Sequence, residues 1–335
     1  MCSGPAASCG SISDEYSRAR GRADEHNVDR GGAIPPGGEI ELNILTVEHT
    51  TIYRYRRPVA LGPHRLMLRP RDGHDLRLLA TELEITPPAM RRWVYDVLGN
   101  SVTLVSFNEP ATELRIASRL TIQRYDTRPP RGEIDTSAAR YPFVYSMQDR
   151  FDLGRMAEQH YVDPGDQLGG WARGFVRGAS TDTLALLGDL NAGIGAQLDY
   201  QSREEEGTQT PVETLRRGWG SCRDFAVLLA EAARSLGFGA RLVTGYLHVP
   251  ITDATLATPG STHAWAEIYV PGPGWLAFDP THGTVGGDPL IRVAVGRDIH
   301  QIVPIAGTFH GVPDDHLGME VSVRVAPADQ EQYSR

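Results

Sequence analysis

The sequence predicts an α+β protein: an N-terminal antiparallel β-sandwich, then a second domain in which a cysteine-bearing helix packs on an antiparallel sheet. Three observations predict it. Short segments of alternating polarity crowd residues 40–126, one amphipathic segment occupies 218–237, and two alternating segments joined by Pro-Gly-Pro-Gly fill 263–281. The 335 residues leave room for about two domains. With 40% hydrophobic and 22% charged residues, the chain can pack a core.

The first domain opens at residue 40, after a leader (1–39) rich in Ser, Gly, Ala, Arg and Asp that shows no apolar period. In LTVEHTTIYRY (45–55), Leu45, Val47, His49, Thr51, Tyr53 and Tyr55 share one alternating face, as on a strand. HRLMLRP, LRLLATELEIT, RRWVYDV, SVTLVSF and TELRIASRLTIQRY follow as further strands. Gly99-Asn100 reads as the turn of a hairpin between two of them. Strands at this spacing make a sandwich over 40–126. DTRPPRGEIDTSAAR reads as a linker over 127–140, with the core domain at 141–325 and a tail at 326–335. Residues 141–200 are helical in pattern but broken by Gly and Pro.

A net charge of −9 excludes a nucleic-acid binder that works through bulk positive charge. No run approaches the ~20 apolar residues of a membrane span, and no basic-then-apolar segment begins the chain. The expectation is a cytoplasmic protein with neither a nucleic-acid nor a membrane partner; the sequence leaves the oligomeric state open. Of the three cysteines, Cys2 and Cys9 lie in the leader, so no disulfide framework is implied. Cys222 alone belongs to the folded part and needs its own explanation.

GWGSCRDFAVLLAEAARSLG (218–237) supplies one. Gly218 and Gly220 make the approach flexible, Ser221 suits the capping position, and Asp224 three residues later completes a capping box. Phe225, Leu228, Leu229, Ala232 and Leu236 recur at helical spacing, and Gly237 terminates the helix. Cys222 is then the first helical residue, where unpaired N–H groups and partial positive charge favour a thiolate. Arg223 acts in the same direction and Asp224 against it. The plainer alternative is a small buried hydrophobe.

HAWAEIYV (263–270) alternates strictly, with His263, Trp265, Glu267 and Tyr269 on one face, and WLAFDPT follows the turn as the return strand. If the loop closes with Tyr269 opposite Trp275, Trp265 falls opposite Asp279. His263 and Asp279 then share a face as diagonal neighbours, roughly 7–8 Å apart at the backbone. A slip of one residue sends them to opposite faces. In the first register Cys222, His263 and Asp279 form an acyl-transfer device of nucleophile, proton carrier and orienting carboxylate. Trp219 is a candidate oxyanion donor or substrate wall and Trp265 a candidate cleft wall, against ordinary packing for both.

GSCRDFA, RSLGFGARLVTGYL and HAWAEIYVPGPGWLAFDPTHG, in that order, resemble the core of bacterial transglutaminase-like proteins. PVALGPHRLMLRPRDGHDLRL and WVYDVLGNSV are similar to the N-terminal domain that accompanies this core. PLIRVAVGRDIHQIVPIAGTFHG and LGMEVSVRV are similar to its ending, so the resemblance spans about residues 42–325. It implies a papain-like transglutaminase core, a Cys222-His263-Asp279 triad, no required cofactor and no metal, and a peptide or protein substrate. Water or an amine would take the acyl group from a thioester. His282 departs from the pattern, standing where the family commonly has Asn, and by strand alternation it faces away from the triad.

Two other functions compete. A catalytically silent peptide-binding or assembly module would keep this shape without needing all three residues. Zinc ligation by Cys222, His263, Asp279 and His282 has suitable residue types but lacks paired-cysteine spacing.

Overall fold

A computed structural model describes residues 43–125, 134–203, 207–248, 262–287 and 289–328. The leader, the first half of the linker and the end of the tail lie outside the described residues. The fold is α+β: helices pack on a core sheet, and a β-sandwich packs against the same core.

The sandwich is organised by β1 (Asn43–Leu66), which carries the predicted face of Leu45, Val47, His49 and Thr51 inward. The sequence divides this stretch into two strands, but the chain runs on as one strand of 24 residues. Its pairing shifts register between Arg54 and Val59, where Pro58 offers no N–H to a ladder. β2 (Leu76–Thr86), β3 (Ala89–Tyr95), β4 (Ser101–Phe107) and β5 (Ala111–Arg124) follow. The first half of β1 pairs with β5, which pairs with β2; its last residues pair with β4, which pairs with β3. Thus β1 belongs to both layers. Leu114 and Ile116 from one layer pack with Val105 from the other in the sandwich core.

The middle of the chain alternates short strands and helices. These are β6 (Arg140–Tyr141), α1 (Met147–Leu153), α2 (Gln167–Arg173), β7 (Thr181–Asp182) and α3 (Thr183–Gln197). Then come β8 (Asp199–Tyr200), α4 (Pro211–Arg217), β9 (Trp219–Gly220) and α5 (Cys222–Ser235). None of the described helices is long and apolar enough to cross a membrane. α5 ends as its sequence predicts: Gly237 takes φ +89°, and Phe238 N–H and Gly237 N–H reach back to the Ala233 and Arg234 carbonyls.

The core sheet has the order β13-β12-β11-β10-β14, from β10 (Ala240–Leu247), β11 (Thr262–Val270), β12 (Gly274–Asp279), β13 (Thr284–Val285) and β14 (Leu290–Gly296). Its two faces have different partners. Ala264, Ala266, Ile268 and Val270 meet Phe225, Leu228 and Leu229 of α5 on one side. Burying each of those three α5 side chains contributes roughly 2 kcal/mol, and together they press the helix onto β11. The other side carries Val243, Trp265 and Val295, while Tyr246, Ile291 and Val293 of β10 and β14 pack against Leu45, Val47, Leu120 and Ile122 of the sandwich.

The chain then returns to its beginning. β15 (Ile305–His310) and β16 (His316–Pro327) both pair antiparallel with β1. The sandwich is therefore built from both ends of the chain, and Val323 and Val325 share a core with Val47.

Candidate active site

Cys222 is the first residue of α5, and its position follows from the turn before it. Gly218 closes α4 at φ +74°, a conformation that a side chain disfavours. Trp219 and Gly220 pair in parallel with Asp199 and Tyr200. A Cβ on Gly220 would come within 2.9–3.2 Å of Asp224 and Phe225, so the residue is there for close approach rather than for flexibility. Asp224 anchors the entry. Its fully buried carboxylate accepts the Ser221 N–H and hydroxyl at 2.8 Å each, the Gln209 N–H at 2.7 Å, and Arg203 at 3.1 Å. The predicted capping box is thus made, and the Ser221 hydroxyl also donates to the Asp224 carboxylate.

His263 and Asp279 meet through the predicted register. Tyr269 pairs with Trp275 and Ala266 with Phe278. His263 Nε2 donates to Asp279 Oδ2 at 2.8 Å, because a carboxylate oxygen can only accept. That leaves Nδ1 as the ring nitrogen for Cys222, with which His263 shares a hydrogen bond. The main-chain amide of Ala264 also reaches the sulfur. Opposite His263 across the ladder stands Gly245, where a Cβ would collide with the Ile291 carbonyl and the Trp265 ring.

Each charge in this line is held by its neighbour. Burial alone would push the Cys222 thiol up, but the hydrogen bond and charge of His263, with Ala264 and Arg223, bring it below its ordinary value. Burial would push His263 down, yet the Asp279 charge and hydrogen bond, with Cys222, carry it up to about 10. Burial would raise Asp279, and His263 and then His282 hold it well below the usual carboxylate range. The arrangement favours thiolate, imidazolium and carboxylate in sequence.

The remaining candidates are placed as follows. Trp219 is half-buried, with the Arg217 guanidinium 5.5 Å above its ring. Trp265 is buried beneath the sheet with Val243, Leu290 and Val295, and stacks against His263 at 6.1 Å and 25°. It is a floor for the imidazole rather than an open cleft wall. Glu267 and Tyr246 are structural: Glu267 pairs with Arg241 and Arg292, and the Tyr246 hydroxyl lies 3.1 Å from His49 Nδ1.

His282 is where alternation misleads. It turns toward the triad: its Nδ1 donates to Asp279 Oδ2 at 2.8 Å, and its ring meets His263 edge-on at 5.1 Å. The Thr281 N–H holds the other carboxylate oxygen, Oδ1, at 3.0 Å. His282 lies four residues beyond Phe278, the last β12 residue paired with β11, where strand alternation no longer sets direction. The signal available in the sequence was proximity alone, a histidine three residues after the aspartate in a tight turn. Among the described residues, His263, Asp279 and His282 offer metal-ligand atoms within 4.8 Å of one another, a group that does not include Cys222. Both ring nitrogens aim at one oxygen at hydrogen-bond length.

Comparison with known proteins identifies two regions of the chain and its fold. The bacterial transglutaminase-like N-terminal region matches residues 45–123, and the transglutaminase-like superfamily core matches residues 169–280. An uncharacterised protein of Mycobacterium leprae is 27% identical over 282 residues, covering 83% of this chain and 98% of its own. A protein-glutamine gamma-glutamyltransferase of Pseudomonas aeruginosa is 36% identical over 66 residues, which are 19% of this chain and only 10% of that enzyme. The crystal structure of a "Putative Cysteine Protease" from Cytophaga hutchinsonii shares the fold, with a TM-score of 0.64 at 20% identity over 85% of this chain and 91% of that one. With a bacterial transglutaminase-like N-terminal region leading into a transglutaminase-like core, the chain belongs to the transglutaminase-like superfamily.

Proposed function

We propose that the protein is a thiol enzyme that cleaves or transfers acyl groups at amide bonds of a peptide or protein, through a Cys222-His263-Asp279 triad. The observation that carries this reading is one imidazole bonded to a helix-start cysteine on one side and to a buried carboxylate on the other. The Cys222 thiolate adds to the amide carbon, and the oxygen gains the negative charge. The Cys222 N–H, in the first turn of α5 where backbone donors lack helical partners, is a donor for it. Collapse expels the amine, which takes its proton from the His263 imidazolium, and leaves a thioester on Cys222. Water or a primary amine then attacks the thioester while neutral His263 accepts its proton. Expulsion of the thiolate restores the starting ion pair.

Asp279 keeps the ring in the tautomer that presents Nδ1 to sulfur and supports its charge. No cofactor is needed for these proton and electron-pair movements. Purified protein incubated with a peptide library, with and without a primary amine, tests the reading by product mass spectrometry. Cleaved peptides alone indicate hydrolysis, and amine-adduct masses indicate transfer. Turnover that survives in Cys222→Ala contradicts the proposal.

A further inference from the structure

We propose that His282 is a positioning residue that fixes the Asp279 carboxylate, and through it His263, by donating a second hydrogen bond to the oxygen that His263 uses. The inference rests on the triad reading above and adds a member that strand alternation placed on the wrong side.

Asp279 is fully buried, and its orientation depends on the donors around it. Thr281 N–H holds Oδ1. Oδ2 receives His263 Nε2–H and His282 Nδ1–H, each at 2.8 Å. Of these two, only His282 is free of other work: His263 must move and accept protons during the reaction. Without His282, the one fixed donor left is at Oδ1, about which the carboxylate can swivel. Oδ2 then no longer stays where the His263 N–H needs it. The imidazolium loses part of its support, and with it the thiolate.

The donor matters more than the ring. Because Asp279 only accepts, His282 carries its proton on Nδ1. That nitrogen is bonded to Cγ, as is the amide nitrogen of Asn, so an Asn at this position can present N–H at nearly the same distance from the backbone. A Phe keeps the ring and its edge contact with His263 but has no N–H. The side chain is a quarter exposed, so each replacement has room to be accommodated.

The experiment compares alkylation of Cys222 by iodoacetamide from pH 5 to pH 9 in the parent, His282→Ala, His282→Asn and His282→Phe. Each site is followed by peptide mass spectrometry, and near-UV circular dichroism checks the fold. Loss of one hydrogen bond to a charged group corresponds to about a tenfold effect. His282→Ala and His282→Phe are expected to alkylate about tenfold more slowly near pH 6, with the acid limb displaced upward in pH. His282→Asn is expected to stay within about twofold of the parent. Parent-like profiles for Ala and Phe overturn the role of His282 while leaving the triad intact, as does an Asn variant as impaired as Ala. A parent Cys222 no more reactive than Cys2 or Cys9 removes the triad reading and the inference together.

Discussion

His263 and Asp279 stand sixteen residues apart in sequence and 2.8 Å apart in space, on neighbouring strands whose register is set by the Tyr269–Trp275 pair. The contact is buried, and the Asp279 carboxylate is the group that holds the His263 ring. Asp279→Asn keeps the volume and an acceptor oxygen but removes the charge that holds His263 as an imidazolium. The expected result is a fall in kcat/KM of about 10³–10⁴-fold with KM little changed. Steady-state kinetics on a peptide found by library screening measures it. A loss under tenfold contradicts the role given to the carboxylate.

Asp224 is assigned to architecture, and its removal is predicted to act through stability. Asp224→Ala leaves the buried Ser221 and Gln209 N–H groups without their acceptor and Arg203 without its counter-charge. The expected cost is roughly 3 kcal/mol in urea unfolding. Cys222 alkylation should slow as well, since the start of α5 frays with its anchor gone. Unchanged stability rules out the anchoring role.

His49 carries a pH prediction that is independent of the site. Its ring is buried where the sandwich meets the core, with Nδ1 3.1 Å from the Tyr246 hydroxyl and Nε2 3.0 Å from the Thr51 hydroxyl. Burial lowers its pKa from the ordinary 6.5 to about 4. The unfolded chain takes up a proton below pH 6.5 that the folded chain refuses until about pH 4. Stability is therefore lost as pH falls through that window, and the loss is complete below it. The difference amounts to roughly 3 kcal/mol. His49→Gln is expected to lose that much less stability than the parent between pH 7 and pH 4, measured by denaturant midpoints. Parallel pH profiles for the two proteins contradict it.

The sequence carried this much because local periodicity and local register reach far here. The alternating face of residues 45–55, the boundaries of LRLLATELEIT and SVTLVSF, and the start of α5 at Cys222 all follow from side-chain period and capping. The His263–Asp279 contact was legible because a short Pro-Gly turn leaves few ways to pair the two strands. Three features were not. β1 reads as two strands because Pro58 and Pro63 interrupt its pattern, yet an exposed, locally shifted ladder tolerates them. β15 and β16 return to β1 from the other end of the chain, and no local signal records so distant a partner. His282 lies beyond the last residue of β12, where the turn rather than the pleat sets direction.

The central claim is that Cys222 is held as a thiolate by His263, and the rate of its alkylation against pH measures that directly. With the thiol held below its ordinary value by His263, and His263 carried up to about 10 by Asp279, the account predicts more thiolate on Cys222 near neutral pH than on an ordinary cysteine. Iodoacetamide should modify Cys222 well ahead of Cys2 and Cys9 at pH 6–7, where ordinary thiols are almost wholly protonated. His263→Ala should abolish that advantage. Cys222 reacting no faster than Cys2 or Cys9 in the parent, or equally fast in His263→Ala, would contradict the account.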